Sequence, residues 1–229
     1  MTLAAGTAAE ALAIGGFEPF STQDWPGRLA AVVFVQGCPW RCSYCHNPGL
    51  QASRRGGWAW SDLRPRWRAR TGLLDGMVFS GGEPTLDPAL PAALDEVRAA
   101  GLATGLHTAG VSAARLRALL PRLDWVALDI KAAPARLAAL TGAPGSARES
   151  TQALQLLLAA GIDHELRTTW HERWLPAQAL LDLADWLAAQ GIRRWVVQAG
   201  RPPDGAPAAV AGPALRQALA ERVPGVSFR

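Results

Sequence analysis

Six short apolar runs recur along the chain, each separated from the next by a segment with helical periodicity. They are AVVFVQ (31–36), DGMVFS (75–80), GLATGLHT (101–108), DWVALDIK (124–131), DHELRTTW (163–170) and RRWVVQAG (193–200). Gly, Pro or Asp bounds each run, the pattern of short strands buried on both faces. Between them, PALPAALDEVRAAG stops at Gly101, SAARLRALLP starts behind a Ser112 N-cap, and SARESTQALQLLLAAG closes at Gly161. PAQALLDLADWLAAQG has Pro176 near its start and Gly191 just past its end, the usual asymmetry of helix termini. Leu180, Leu183, Ala184 and Leu187 form an apolar stripe at helical spacing. Strands alternating with helices predict right-handed βαβ units and a parallel sheet, either open and doubly wound or a partial (β/α)6 TIM-like barrel. Both folds put their active sites at the C-terminal ends of the strands.

A chain of 229 residues with 49% hydrophobic content is large enough for one sizeable core. A single domain over 1–229 is expected, its core spanning about 15–201 between an N-terminal extension and a C-terminal helix. The opening MTLAAGTAAEALAIGG lacks the basic start of a secretory signal, and no apolar run has a membrane span's length. A soluble, cytoplasmic protein without a membrane partner is expected. The net charge of +4 and pI of 9.6 are compatible with an acidic partner or a nucleotide, and equally with scattered surface arginines. Residues 53–72 carry six Arg and three Trp. They are read as a solvated helix starting near Ser61 with its tryptophans on the core, in preference to a nucleic-acid surface. RPPDGAPAAVAGP (201–213) reads as a flexible connection before a last helix and the terminal VSFR.

All three cysteines fall within eight residues, in GCPWRCSYCHNPG. A disulfide scaffold would distribute an even number along the chain. Cys38, Cys42 and Cys45 are spaced C-x3-C-x2-C directly after the first predicted strand, and Pro39, Pro48 and Gly49 make the segment a loop. A loop can bring three thiolates to one metal group. A protein-ligated [4Fe–4S] cluster normally takes four Cys, and the chain has no fourth. One iron would then be open to substrate or cofactor, as in catalytic metal sites. The competing reading is structural zinc on three Cys and a His. His46 adjoins Cys45 too closely for the usual ligand spacing, and nothing local favours His107, His164 or His171.

The C-x3-C-x2-C spacing after the first strand resembles the signature of the radical S-adenosylmethionine (SAM) superfamily. The resemblance runs from about Gly15 to Arg201 and includes GGFEPFSTQDWPG, YCHNP, LLDGMVFSGGEPTL, DIKA and ELRTT. Within the superfamily the chain is similar to glycyl-radical enzyme activases, in particular anaerobic ribonucleoside-triphosphate reductase activating proteins. The resemblance implies a barrel of the radical SAM type, a [4Fe–4S] cluster on Cys38, Cys42 and Cys45, and SAM chelated at the open iron. Gly81, Gly82 and Glu83 would hold the SAM ammonium, Lys131 would lie near its carboxylate with Asp129 nearby, and Arg167 would also contact it. Tyr44 and His46 would flank the cofactor, and Thr108 belongs to the same cofactor-binding set. Activases of this type often carry Asp-Thr-Asn-Gly where this chain has His107-Thr108-Ala109-Gly110. His107 is then either a substitute hydrogen-bond partner or plain structure.

The chemistry implied is reduction of the cluster by flavodoxin or ferredoxin, then cleavage of SAM to methionine and a 5′-deoxyadenosyl radical. That radical would take hydrogen from a backbone glycine of a partner such as anaerobic ribonucleotide reductase. The cofactor carries this chemistry, so no side chain need act as nucleophile or base. Related activases with an inserted ferredoxin-like module have extra cysteines that this chain lacks. The alternatives are a radical SAM enzyme acting on a small molecule, such as 7-carboxy-7-deazaguanine synthase, and a zinc module without enzymatic activity.

Overall fold

A computed structural model describes residues 8–53, 56–202 and 204–229. One eight-stranded sheet runs in sequence order through β1 (Ile14–Ser21), β2 (Ala30–Val35), β3 (Gly76–Gly81), β4 (Ala103–Thr108), β5 (Trp125–Asp129), β6 (Asp163–Trp170), β7 (Arg194–Ala199) and β8 (Gly225–Phe228). β1 is antiparallel to β2 and every later pair is parallel. A doubly wound sheet would reverse its order at a switch point, and this one does not. It is the partial TIM-like barrel of the two expected architectures, left open because β1 and β8 do not pair.

The six predicted strands are β2 to β7, with ends shifted by at most two residues or so. β1 and β8 were not predicted. β1 carries Gly15, Gly16 and Pro19, residues that depress strand propensity and are tolerated here on an edge; β8 is only four residues long.

The helices are α1 (Trp60–Arg68), α2 (Leu90–Ala99), α3 (Ala113–Leu119), α4 (Pro134–Thr141), α5 (Ser146–Ala160), α6 (Ala177–Ala189) and α7 (Pro213–Arg222). Their ends follow the signals in the sequence. Ser112 Oγ accepts from the Arg115 N–H at 3.4 Å to cap α3. Gly161 closes α5 at φ 63°, and Pro176 is the N-cap residue of α6. The Leu180, Leu183, Ala184 and Leu187 stripe is wholly buried. In α1, Trp60 and Trp67 are buried as expected of a helix laid on the core, while Trp58 stays at the surface under Arg66. No helix among the described residues is long and apolar enough to cross a membrane.

Alternation along the strands divides the apolar residues into two layers. Val33, Phe79, Leu106 and Leu128 face the helices in the main core, against Leu94, Leu116, Leu154 and Leu180. Val32, Val78 and Ala127 face the barrel interior and surround Trp25 and Trp125. Trp25 comes from the β1–β2 connection and stacks on Trp125, with ring centroids 5.2 Å apart and planes 14° apart. This pair is the floor of the barrel. Room for it comes from two glycines: a Cβ would lie 2.9 Å from the Trp25 ring at Gly76 and 3.0 Å at Gly105. Gly76→Val should therefore lower stability by about 1–3 kcal/mol, the usual cost of overpacking a core. Gly72→Ala, whose added carbon meets nothing within 4 Å, should leave it unchanged. Midpoints of urea unfolding measure both.

Candidate functional site

At the end of β2 the chain turns through Gly37, at φ 102°, into the cysteine loop. Both ends of the loop are pinned: the Gly37 N–H donates to Leu50 O at 2.8 Å and the Cys38 N–H to Gln51 O at 3.1 Å. The buried Gln36 amide donates to Gly49 O at 3.0 Å and Ala52 O at 2.8 Å. Inside the loop, the Cys45 N–H donates to Cys42 O at 3.1 Å, and the Arg41 N–H to Thr141 O at 2.8 Å.

The end of β3 fits against this loop with no space to spare. Gly81 has φ 111°, and a Cβ on it would sit 2.5 Å from Val35 N; a Cβ on Gly82 would sit 2.3 Å from Gly37 O. The Gly82 N–H donates to Val35 O and the Glu83 N–H to Gly37 O, both at 2.8 Å. Only glycine allows backbone contacts this close.

The three cysteines line one cavity of about 240 Å³ at the C-terminal ends of the strands. So do Tyr44, His46, Gly81, Gly82, Thr108, Asp129, Lys131 and Arg167. Glu83 does not. It is 1% exposed and its carboxylate turns under the loop, where Oε1 accepts from Thr85 Oγ1 (2.6 Å), Thr85 N–H (3.2 Å) and Thr108 Oγ1 (2.7 Å). Oε2 accepts from the Ala109 N–H at 3.0 Å. Burial raises its pKa above the ordinary carboxylate value, against these hydrogen bonds. The sequence-based expectation assigned this carboxylate to a ligand's ammonium; in this arrangement its oxygens are held by four protein donors. Its protein donors use Glu83 to join the β3 and β4 loops, and only the backbone of Gly81 and Gly82 faces the cavity.

Burial pushes the Cys38 thiol up to about 11 and raises that of Cys42, so a metal must displace protons from them. Among the described residues no three His, Cys, Asp or Glu side chains gather as ligands of a single ion. Lys131 Nζ lies 3.5 Å from Asp129 Oδ2 and 5.8 Å from the centre of the Tyr44 ring. Burial works against its charge, while the Asp129 carboxylate beside it favours the ammonium and holds it above its ordinary value. The Arg167 guanidinium lies over Trp125 at 5.5 Å, with Nε 3.3 Å from Glu165 Oε1. Its Nη2 is buried without a hydrogen-bond partner. The Tyr44 hydroxyl is likewise buried and unpartnered. Two buried polar atoms on residues of the cavity wall are thus left without a protein partner.

Several cavity residues had no role assigned from the sequence: Asp24, Trp40, Ser80, Thr169 and Gln198. Ser80, Thr169 and Gln198 follow the inward alternation of β3, β6 and β7 and were legible in principle; Asp24 depends on how the β1–β2 connection folds. His107 proves to be a latch. Its Nε2 meets Asp24 O at 2.7 Å, an acceptor, so Nε2 carries the proton and Nδ1 accepts from Ser80 Oγ at 3.1 Å.

The radical SAM superfamily profile matches residues 32–169, more than half of the chain, and the chain belongs to that superfamily. Its members use a [4Fe–4S] cluster and SAM. The chain is 35% identical over 127 residues to the pyruvate formate-lyase-activating enzyme of Clostridium pasteurianum, covering 52% of each protein. It is 32% identical over 133 residues to that of Streptococcus mutans, covering 52% of this chain and 50% of the other. A shorter match, 50% identical over 36 residues, joins it to the benzylsuccinate synthase activating enzyme of Thauera aromatica, covering 16% of this chain and 11% of that one. The chain spans about half the length of the activating enzymes it matches most broadly. Among solved structures, Streptococcus suis SuiB superposes with a TM-score of 0.62 at 14% identity, covering 85% of this chain and 47% of its own. QueE from Escherichia coli gives 0.57 at 16%, covering 95% and 93%. Those two likenesses establish the fold.

Burial, with the Arg167 charge beside it, lowers His107 to about 4 from an ordinary 6.5. Between these values the unfolded chain binds the proton and the folded one does not, so stability is lost as pH falls from 6.5 towards 4. At pH 5 the loss should be about 2 kcal/mol. His107→Gln, which does not titrate, should flatten this part of the slope when urea midpoints are compared at pH 7 and pH 5.

Proposed function

We propose that this protein activates a glycyl-radical enzyme by reductive cleavage of SAM, with a [4Fe–4S] cluster on Cys38, Cys42 and Cys45. The observation that carries the reading is the meeting of those thiols with Lys131, Asp129 and Arg167 in one cavity at the strand ends. The donor set fits the group: three thiolates serve three irons, and with no fourth Cys in the chain one iron is left for a small chelating ligand. When bound, cluster and SAM supply one-electron scission of a carbon–sulfur bond and a fragment that abstracts hydrogen.

The chain's own residues bind and orient. The Lys131 ammonium and the open Nη2 of Arg167 answer a carboxylate, and Asp129 offers an acceptor beside them. Gly81 and Gly82 let the backbone approach the amino end of the ligand, with Thr108 below. Tyr44 and Trp40, both buried, wall the cavity and keep water from the reacting face, while His46 stands at its exposed rim. The substrate is a backbone glycine of a large partner, in line with relatives named as activators of pyruvate formate-lyase and benzylsuccinate synthase. The finer assignment, to an anaerobic ribonucleotide reductase with flavodoxin or ferredoxin as electron donor, rests on the motif resemblance and on the lack of cysteines for an added ferredoxin-like module.

The test is anaerobic reconstitution with iron and sulfide, then dithionite and SAM, with 5′-deoxyadenosine as the product assayed. Wild type should form it and Cys42→Ala should not. Adding an anaerobic ribonucleotide reductase should yield a glycyl radical by electron paramagnetic resonance. A protein that forms the cluster yet yields no 5′-deoxyadenosine with any glycyl-radical partner would sink the proposal.

A further inference from the structure

Three stacked rings run outward from the cysteine loop. Tyr44, between Cys42 and Cys45, is buried and stacks on Trp174, with centroids 4.8 Å apart and planes 10° apart. Trp174 stacks in turn on His171, at 4.8 Å and 29°. Both outer rings are half-buried, and neither lines the cavity, so they take no part in walling a ligand. The stack is held firmly. Trp174 Nε1 donates to Thr169 O at 3.3 Å, and its ring presses on Gly200, where a Cβ would lie 2.4 Å from Cζ2. His171 Nδ1 accepts from the Arg173 N–H at 3.1 Å.

We propose that this stack is the entry route for the electron that reduces the metal group at the cysteine loop, and that the donor protein docks over His171. The inference rests on the reading of Cys38, Cys42 and Cys45 as cluster ligands. Electron transfer weakens exponentially with the gap to be crossed, and the cavity side is reserved for the ligand and for the substrate. An electron from outside must then tunnel through a wall, and the rings, stacked at 4.8 Å and 4.8 Å, fill that wall with one continuous packed path. In the step itself the donor's cofactor is oxidised by one electron and the metal group reduced by one. No bond or proton moves.

The surface beside His171 indicates the kind of donor. Arg173 and Arg201 are exposed there, Arg201 following the glycine that supports Trp174. Asp204 pairs with Arg173 at 2.6 Å and Glu172 accepts from the Ala177 N–H at 3.3 Å, whereas Arg201 has no ion pair among the described residues. Glu172 and Asp204 match Arg173 and Arg201 in number, so this rim is close to neutral, and it is the unpaired Arg201 with the chain's net charge of +4 that favours an acidic one-electron carrier.

The experiment is stopped-flow reduction of the anaerobically reconstituted protein, followed by cluster absorbance, with photoreduced flavodoxin or dithionite as donor. Trp174→Leu and His171→Leu should slow reduction by flavodoxin by about tenfold or more and leave reduction by dithionite, a small molecule able to reach the cluster directly, unchanged. Trp174→Phe, which keeps a ring in the stack, should retain most of the rate. Arg201→Glu should slow the flavodoxin reaction most at low salt. Wild-type rates with flavodoxin in both leucine variants, or equal slowing with both donors, would overturn the route. Wild-type protein that forms no reducible cluster would overturn the cluster reading itself, and the inference with it.

Discussion

The site depends on one close contact, the backbone of the cysteine loop laid against the end of β3. Gly37 O is the acceptor for the Glu83 N–H, and the same carbonyl would be 2.3 Å from any side chain on Gly82. Two loops can approach this closely only where neither carries a Cβ in the gap. From there the linkage spreads sideways. The Glu83 carboxylate reaches Thr108 and Ala109 on the β4 loop, and Gln36 ties the return of the cysteine loop. The thiols therefore sit on a loop fixed to three consecutive strands. A buried carboxylate is expensive unless every oxygen is satisfied; four donors do that here, which is why Glu83 strengthens the framework.

A second constraint sets how deep the cavity goes. The Trp25–Trp125 pair fills the barrel below, and Arg167 and His107 rest on it, the guanidinium over Trp125 at 5.5 Å and the imidazole edge-on at 5.6 Å. Polar groups at this level meet aromatic surface beneath them and open cavity above. The floor therefore directs them upward to the cysteine loop, and it also desolvates His107 enough to keep it neutral.

Most of the architecture was legible in the sequence because short continuous apolar runs and helix-end residues report local physics directly. β2 to β7 and the caps at Ser112, Gly161 and Pro176 follow from it. The same rules fail for β1, whose glycines and proline suppress the signal, and for β8, too short to show one. The cavity was legible through the alternation of Trp125, Ala127, Asp129 and Lys131, which share one face in the structure as in the pattern. The direction of Glu83 was not, since it depends on where Thr85, Thr108 and the Ala109 N–H end up after three strands have assembled. Nor was the stack of Tyr44, Trp174 and His171, which joins residues from two distant loops.

The charged groups in the cavity and beside it are arranged by pairing. Lys131 pairs with Asp129 at 3.5 Å, Arg167 approaches Glu165 at 3.3 Å, and Glu165 accepts from Arg229 at 2.6 Å. Along the inner face of β5, β6 and the end of β8, positive and negative groups thus alternate, each cation beside an anion. Unpaired, these groups would neutralise or unfold the strand ends. Fully paired, they would offer a ligand nothing. The arrangement stops short of full pairing at Arg167 Nη2, buried without an acceptor, and at the Lys131 ammonium, which has three donors and one carboxylate neighbour. Open donors beside a nearby acceptor, Asp129, are complementary to a small molecule carrying both signs of charge. That match comes from the pairing pattern itself and does not require any residue to change its protonation.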